Sequence, residues 1–133
     1  MFTVGGSILQ RTLAGRSILI LENEPHAAVE LEKAFNTAGA HAWVIGAIQR
    51  AIDLVRPGGW SAAVVNGDAR QPGRIQLFAL LRELNIPFVI HSCDPITEGE
   101  FAQVPYVGKP ALPSKIVQAI EEMLHSVVKP NRP

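Results

Sequence analysis

Short apolar runs alternate with segments of helical periodicity along almost the whole chain. The apolar runs lie at 17–22, 40–46, 61–66, 87–92 and 105–109. Apolar side chains recur at helical spacing at 25–38, 48–55, 74–84 and 113–128. A run such as SILILE, which is almost entirely apolar, is typical of a strand buried on both faces. This alternation predicts an α/β fold with one parallel sheet covered by helices on both sides.

Local signals mark where some of these elements begin and end. Pro25 follows the first run at a position where a first helical turn accepts proline, and Gly39 ends that helix. One unit is irregular: only sixteen residues separate Ser92 from Lys109, and the segment 93–104 has little helical periodicity. We therefore predict that the fourth helix is shortened to one or two turns, or is absent.

Length and composition limit the class of protein. A chain of 133 residues fits one domain with a single core. Lys+Arg and Asp+Glu are equal at 12 each, so no basic footprint for nucleic acid or a membrane surface exists. Cys93 is the only cysteine, which excludes an intrachain disulfide. With no secretory signal or spanning run, we expect a cytoplasmic protein.

The pattern divides the chain into three parts. Residues 1–15 look like an N-terminal extension, which is either disordered or docked on the domain or on a partner. Residues 16–128 form the domain, and 129–133 form a tail in which two prolines prevent continuation of the helix.

Polar residues stand where four of the predicted strands end. They are Glu22-Asn23-Glu24 after the first strand, Asn66-Gly67-Asp68 after the third, Ser92 after the fourth and Lys109-Pro110 after the fifth. Ligands of open α/β sheets bind beyond the carboxyl ends of the strands, where the strand order switches. The sequence therefore predicts a site of acidic groups, a hydroxyl and a lysine at this edge.

This set of residues resembles the receiver domain of two-component response regulators, the CheY-like family. The resemblance covers about residues 16–128 and implies a flavodoxin-like (βα)5 fold with strand order 2-1-3-4-5. In that family an acidic pair after the first strand holds magnesium, and an aspartate ending the third strand accepts a phosphoryl group. By the same resemblance Ser92 and Lys109 are the phosphoryl-binding residues, and Tyr106 is the aromatic that reports the switch to partners.

Two positions depart from the family pattern. Asn66 stands at the phosphoacceptor position and Asn23 at the second acidic position. An amide is neutral and a poor nucleophile, so Asn66 should not form an acyl phosphate. Magnesium normally requires one or two carboxylates, and Glu22, with Glu24 or Asp68, is what remains. We expect no bound metal and no other cofactor, with Glu22 and Asp68 as weak candidates for metal ligands.

Each of these residues also has a simpler interpretation. Asn66-Gly67 makes a good turn, since both residues tolerate positive φ. Glu22 and Glu24 favour a helix N-terminus by their charge. Lys109 and Ser92 would otherwise be ordinary surface and strand-end residues, and Tyr106 would be part of the core.

The leading hypothesis is a stand-alone atypical receiver with a degenerate phosphorylation site, which acts as a protein–protein interaction module and not as an enzyme. Its partners would be signalling proteins, namely a histidine kinase or a downstream regulator, with a homodimer through the fifth strand and the last helix as a further option. Lys109 should then pair with Glu22 or Asp68 and hold one conformation.

Three alternatives remain open at this stage. The first is a phosphorylatable receiver with Asp68 as acceptor and Mg²⁺ held by Glu22 and Glu24. The second is deamidation of Asn66, which would create the missing aspartate. The third is a small-molecule site on a flavodoxin-like scaffold, which no glycine-rich phosphate loop supports. Cys93 and the four histidines, including His91, show no metal-binding spacing and are interpreted as surface or structural residues.

Overall fold

The computed structural model describes residues 11–67 and 70–128. Most of the predicted N-terminal extension, the alternative acceptor Asp68 and the predicted tail 129–133 lie outside these residues.

Strands and helices alternate as the sequence predicts. The strands are β1 (Ser17–Leu21), β2 (His41–Ile45), β3 (Ala62–Asn66), β4 (Phe88–Ser92) and β5 (Tyr106–Gly108). The helices are α1 (Pro25–Thr37), α2 (Ile48–Val55), α3 (Arg74–Glu83) and α4 (Pro113–Val128). All four strand pairs are parallel and the order is β2-β1-β3-β4-β5. The predicted fold class and strand order are confirmed.

Alternation along the strands divides the core between the two faces of the sheet. Leu19 and Leu21 of β1 point to one face, where they pack with buried residues of α2 and α3. Ile18 and Ile20 point to the other face, where they pack with buried residues of α1 and α4. Because successive side chains of a strand alternate, every strand residue can be assigned to one face. This assignment also shows on which face of the sheet each polar residue at a strand end lies.

Helix α1 begins directly after the end of β1. Pro25 occupies its first turn, and the Glu24 carboxylate accepts hydrogen bonds from the backbone N–H of Ala27 at 2.7 Å and of His26 at 3.2 Å. These backbone bonds, the one from Ala27 first, lower the pKa of Glu24. The predicted contribution of Glu24 to the helix N-terminus is therefore a direct capping contact.

No helix forms in the described segment between β4 and β5. Turns occupy this stretch, and Phe101 anchors it with 3% of its surface exposed. The Phe101 ring lies 5.2 Å from the Phe78 ring, and the Arg82 guanidinium lies 4.7 Å above it. Phe101 thus anchors this segment to the core without a helix. The sequence predicted that the fourth helix is either short or absent, and it is absent from this segment.

Residues 11–16 are part of the folded domain. Leu13 is 1% exposed and packs into the α1–α4 side of the core, while its backbone N–H donates to the Ala38 carbonyl at 2.9 Å. The described end of the extension therefore docks on the domain. Across the described residues, no helix combines the length and apolarity needed to span a membrane.

Candidate functional site

Three polar residues form a row across neighbouring strands at the carboxyl edge of the sheet. Asn66 of β3 is paired with His91 of β4, and Glu22 follows Leu21, which is paired with the residue before Asn66. All three share the face of the sheet that packs on α1 and α4, by alternation from Ile20, Val64 and Val89. The row Glu22–Asn66–His91 is the centre of the site.

The side chains of Asn66 and Glu22 form a hydrogen bond with each other. The Asn66 Nδ2 donates to Glu22 Oε1 at 2.8 Å, and both residues are buried, with 8% and 4% of their surfaces exposed. The second carboxylate oxygen of Glu22 accepts the backbone N–H of Glu24 at 3.0 Å. Each oxygen of Glu22 thus carries an N–H donor, so the carboxylate is stabilised without a cation.

The end of β3 is fixed by Arg74, a residue that the sequence analysis missed. Arg74 begins α3, is 8% exposed, and donates from Nε to the Asn66 carbonyl at 2.7 Å. Gly67 follows with φ +104°, and its N–H donates to the His91 carbonyl at 3.0 Å. A Cβ at Gly67 would lie 1.9 Å from the Gln71 Oε1 and 2.8 Å from the Arg74 Nε, so a side chain there would displace both groups, and the positive φ also favours glycine.

Ser92 and Tyr106 lie together at the ends of β4 and β5. The Ser92 hydroxyl donates to the Asp94 carbonyl at 2.8 Å, and the Tyr106 hydroxyl donates to the Ser92 carbonyl at 3.0 Å. Ser92 is 3% exposed, whereas Tyr106 is 36% exposed. Tyr106 therefore connects the strand-end site to the surface of β5.

Lys109 borders the same site. It is half-buried, precedes a cis peptide bond to Pro110, and lines a cleft of about 450 Å³ with Asn66, Gly67 and Ser92 among others. Of the two partners predicted for Lys109, Glu22 forms no ion pair with it in the described residues, and the Asn66 amide and the Glu24 N–H bond to that carboxylate instead. The other predicted partner, Asp68, lies outside the described residues.

His91 was interpreted from sequence as a surface or structural residue, and it lies in the site. It is 7% exposed, and neither Nδ1 nor Nε2 has a hydrogen-bond partner in the described part of the chain. Burial and then the charge of Lys109 lower its pKa, against an opposing effect of Glu22. Strand alternation from Val89 was the signal that could have placed His91 on the buried face.

Few side chains at this site could act as ligands of a metal ion. Asn23 is exposed, and the Glu24 side chain is engaged in capping α1. Within 11–67 and 70–128, no group of three or more His, Cys, Asp or Glu side chains is placed to hold a metal ion. The described residues therefore do not fit the acidic magnesium site that the resemblance implies for the family.

Comparisons with solved structures match this architecture to one fold. No protein-family model and no curated protein matches the chain. A response regulator receiver protein from Sinorhizobium medicae is 20% identical, with a TM-score of 0.70 over 84% of this chain and 95% of that chain. The chain has the CheY-like receiver-domain fold.

Other receiver domains match over a similar extent. The receiver domain of the Francisella response regulator 1452 is 20% identical, with a TM-score of 0.67 over 86% of this chain and 100% of that chain. A CheY-like receiver domain from Methanospirillum hungatei is 16% identical, with a TM-score of 0.66 over 84% of this chain and 95% of that chain. At these identities the similarity establishes the receiver fold, and the chemistry must be argued from this chain's own residues.

Proposed function

We propose that this chain is an atypical receiver domain in two-component signalling, which acts by binding other proteins and does not accept a phosphoryl group at Asn66. The observation that carries the proposal is the hydrogen bond between Asn66 and Glu22, buried at the position where the family resemblance puts the phosphoacceptor. On this proposal the chain is neither an enzyme nor a magnesium-binding protein.

The chemistry of the Asn66–Glu22 pair supports this proposal. Phosphoryl transfer to a side chain needs a nucleophilic oxygen, and the amide of Asn66 is neutral and engaged as a donor to Glu22. A carboxylate in its place would stand beside the Glu22 carboxylate, and like charges at that distance repel unless a cation or a proton lies between them. The neutral amide of Asn66 avoids this repulsion.

The surface around β5 is the proposed binding face. Tyr106 is 36% exposed and Leu112, which precedes α4, is 69% exposed. Tyr106 begins β5, directly after the segment that lacks a helix, and Leu112 lies in the connection from β5 to α4. Exposed apolar and aromatic side chains are enriched where proteins bind each other. A histidine kinase, a downstream regulator or a second copy of this chain is the proposed partner.

Phosphoryl transfer is tested directly by intact mass. The chain is incubated with Mg²⁺ and a small phosphodonor such as acetyl phosphate, alongside the Asn66→Asp and Asp68→Ala variants. We expect no phosphoryl adduct on the wild-type chain. An adduct on the wild-type chain that disappears in Asp68→Ala would replace this proposal by the alternative in which Asp68 is the acceptor.

Self-association is tested separately at the proposed binding face. Leu112→Asp places a charge in this face, and Val29→Asp is a matched control because Val29 is 52% exposed on α1. Sedimentation velocity should show concentration-dependent association that Leu112→Asp abolishes and Val29→Asp leaves intact. A wild-type chain that stays monomeric at all concentrations would exclude the homodimer and leave a heterologous partner.

A further inference from the structure

His91 is the one residue of the row whose polar atoms are not satisfied in the described part of the chain. Both ring nitrogens are buried without a hydrogen-bond partner, whereas Asn66 and Glu22 are bonded to each other. Buried polar groups are almost always paired, so an unpaired one in a native site calls for an explanation. Nothing in the phosphoryl-pocket interpretation uses His91.

The surroundings of His91 contain few charges. Glu22 at the end of β1 and Lys109 after β5 are the charged groups that act on its ring, and the neutral Asn66 is its neighbour on β3. From α1 and α4, the buried side chains on this side of the sheet are apolar: Leu31, Phe35, Ile116, Val117, Ile120 and Leu124. Among the ionisable side chains of these helices and of the turn before α1, Glu24, His26, Glu32, Lys33, Lys115, Glu122 and His125 are exposed, and Glu30 and Glu121 are half-buried.

A proton on this imidazole would change its bonding needs. Neutral imidazole has one N–H and one acceptor nitrogen, whereas imidazolium carries an N–H on both nitrogens. Along the row, the acceptor on the neighbouring strand is the Asn66 amide oxygen, because the amide nitrogen already donates to Glu22. The bonds would then run from His91 to Asn66 and from Asn66 to Glu22, which joins a cation to an anion through one amide.

We propose that His91 is a proton-responsive centre of this site: its imidazole takes a proton from solvent, forms the chain His91–Asn66–Glu22, and thereby moves away from Lys109 and reshapes the ends of β3 and β4. The proposal rests on the proposed function, in which no phosphoryl group sets the state of the site. The output would reach the surface through Tyr106, which is bonded to Ser92, the residue that follows His91.

The direction of the pH dependence follows from the folded environment. Burial and Lys109 lower the pKa of His91 below the usual 6.5, so the folded chain holds fewer protons than the unfolded chain just below that pH. The contribution of neutral His91 to the stability of the fold is fully present above the ordinary histidine pKa. It is lost as the pH falls from that value through the folded pKa. The protonated arrangement therefore becomes populated only in acidified solution.

The test is an NMR titration of the full chain. The ring C–H signals of all four histidines and the side-chain N–H₂ signal of Asn66 are followed from neutral to acidic pH. His26, His41 and His125 are exposed and serve as internal references. We expect His91 to titrate below the ordinary histidine value of 6.5, and the Asn66 signal to move with the same midpoint. Lys109→Met should raise that midpoint, and Glu22→Gln should lower it.

His91→Val provides the matched control, since valine favours strands and Val89 occupies the same face. In this variant the pH-dependent shift of the Asn66 signal should vanish. If it unfolds, His91→Gln, which is polar but never charged, replaces it. Titration of His91 together with the exposed histidines would overturn the proposal, as would an Asn66 shift that persists in the variant. Because no phosphodonor is present, a phosphoryl adduct in the earlier mass experiment would remove the proposed function without affecting this result.

Discussion

The side-chain amide of Asn66 donates a 2.8 Å hydrogen bond to the carboxylate of Glu22 inside the carboxyl edge of the sheet. In the family that the chain resembles, this edge holds a cation and an acceptor carboxylate. Here a neutral donor meets the only buried carboxylate of the described residues, and both oxygens of that carboxylate accept hydrogen bonds from the chain.

Asn66→Asp should destabilise the chain in the absence of divalent cations. The change replaces a donor by a second carboxylate beside Glu22, and loss of one buried hydrogen bond alone costs about 1–3 kcal/mol. Thermal unfolding with and without MgCl₂ measures this, and Mg²⁺ should restore part of the lost stability. Asn36→Asp, on the exposed surface of α1, is the control and should show neither effect. Equal stability of Asn66→Asp and wild type without Mg²⁺ would contradict the account.

Gly67→Ala should destabilise the end of β3 more than an ordinary glycine substitution does. The added Cβ meets both a positive φ and the side chains of Gln71 and Arg74. Gly58→Ala is the matched control because Gly58 has φ +80° but open space around its Cβ position. Urea unfolding should give a larger loss for Gly67→Ala, with the difference of about 1–3 kcal/mol being the cost of overpacking. Equal losses would mean that the packing at Gly67 is not tight.

Native Asn66 should resist deamidation, although it precedes a glycine. The reaction needs the Gly67 nitrogen to attack the Asn66 side chain, and that N–H is bonded to His91 while the side chain is bonded to Glu22. Intact mass during prolonged incubation should show an unchanged native chain and deamidation of the chain in urea. Deamidation of the folded chain as fast as in urea would show that these two bonds do not protect Asn66.

Glu24→Gln should reduce the acid sensitivity of the fold. Backbone hydrogen bonds from Ala27 and His26 lower the pKa of Glu24. The stabilisation from a lowered carboxyl pKa is present above the unfolded value and is lost as the pH falls through the folded pKa. Unfolding free energies measured across this acidic range should therefore change less with pH in Glu24→Gln than in Glu32→Gln, an exposed control on α1. Identical pH profiles would exclude capping by the Glu24 carboxylate.

The sequence was sufficient for the elements and their order, because buried parallel strands such as β1 and β3 are apolar at almost every position and end in polar residues. It placed Asn66 and Glu22 at the same edge, but it did not show that they bond to each other. It offered Lys109 two partners, Glu22 or Asp68, since opposite charges are the simplest pairing to expect from sequence. In the structure Glu22 bonds to Asn66 and to the Glu24 N–H.

Arg74 and His91 were missed for a related reason. Charged and imidazole side chains are usually exposed or scattered, and only tertiary packing buries these two. Arg74 donates a hydrogen bond to the Asn66 carbonyl, and no sequence motif predicts this contact with a backbone group. His91 could have been placed on a buried face by alternation from Val89, but the lack of a partner for its nitrogens depends on every neighbouring element.

The most direct test of the central claim is a titration of the chain with Mg²⁺ and beryllofluoride, followed by NMR. Beryllofluoride mimics a phosphoryl group on an acceptor carboxylate, so it reports whether a working acceptor exists. We expect no saturable shifts in the wild-type chain and saturable shifts near Lys109 and Tyr106 in the double variant Asn23→Asp, Asn66→Asp. Saturable, Mg²⁺-dependent shifts in the wild-type chain would contradict the proposal that Asn66 leaves the site without an acceptor.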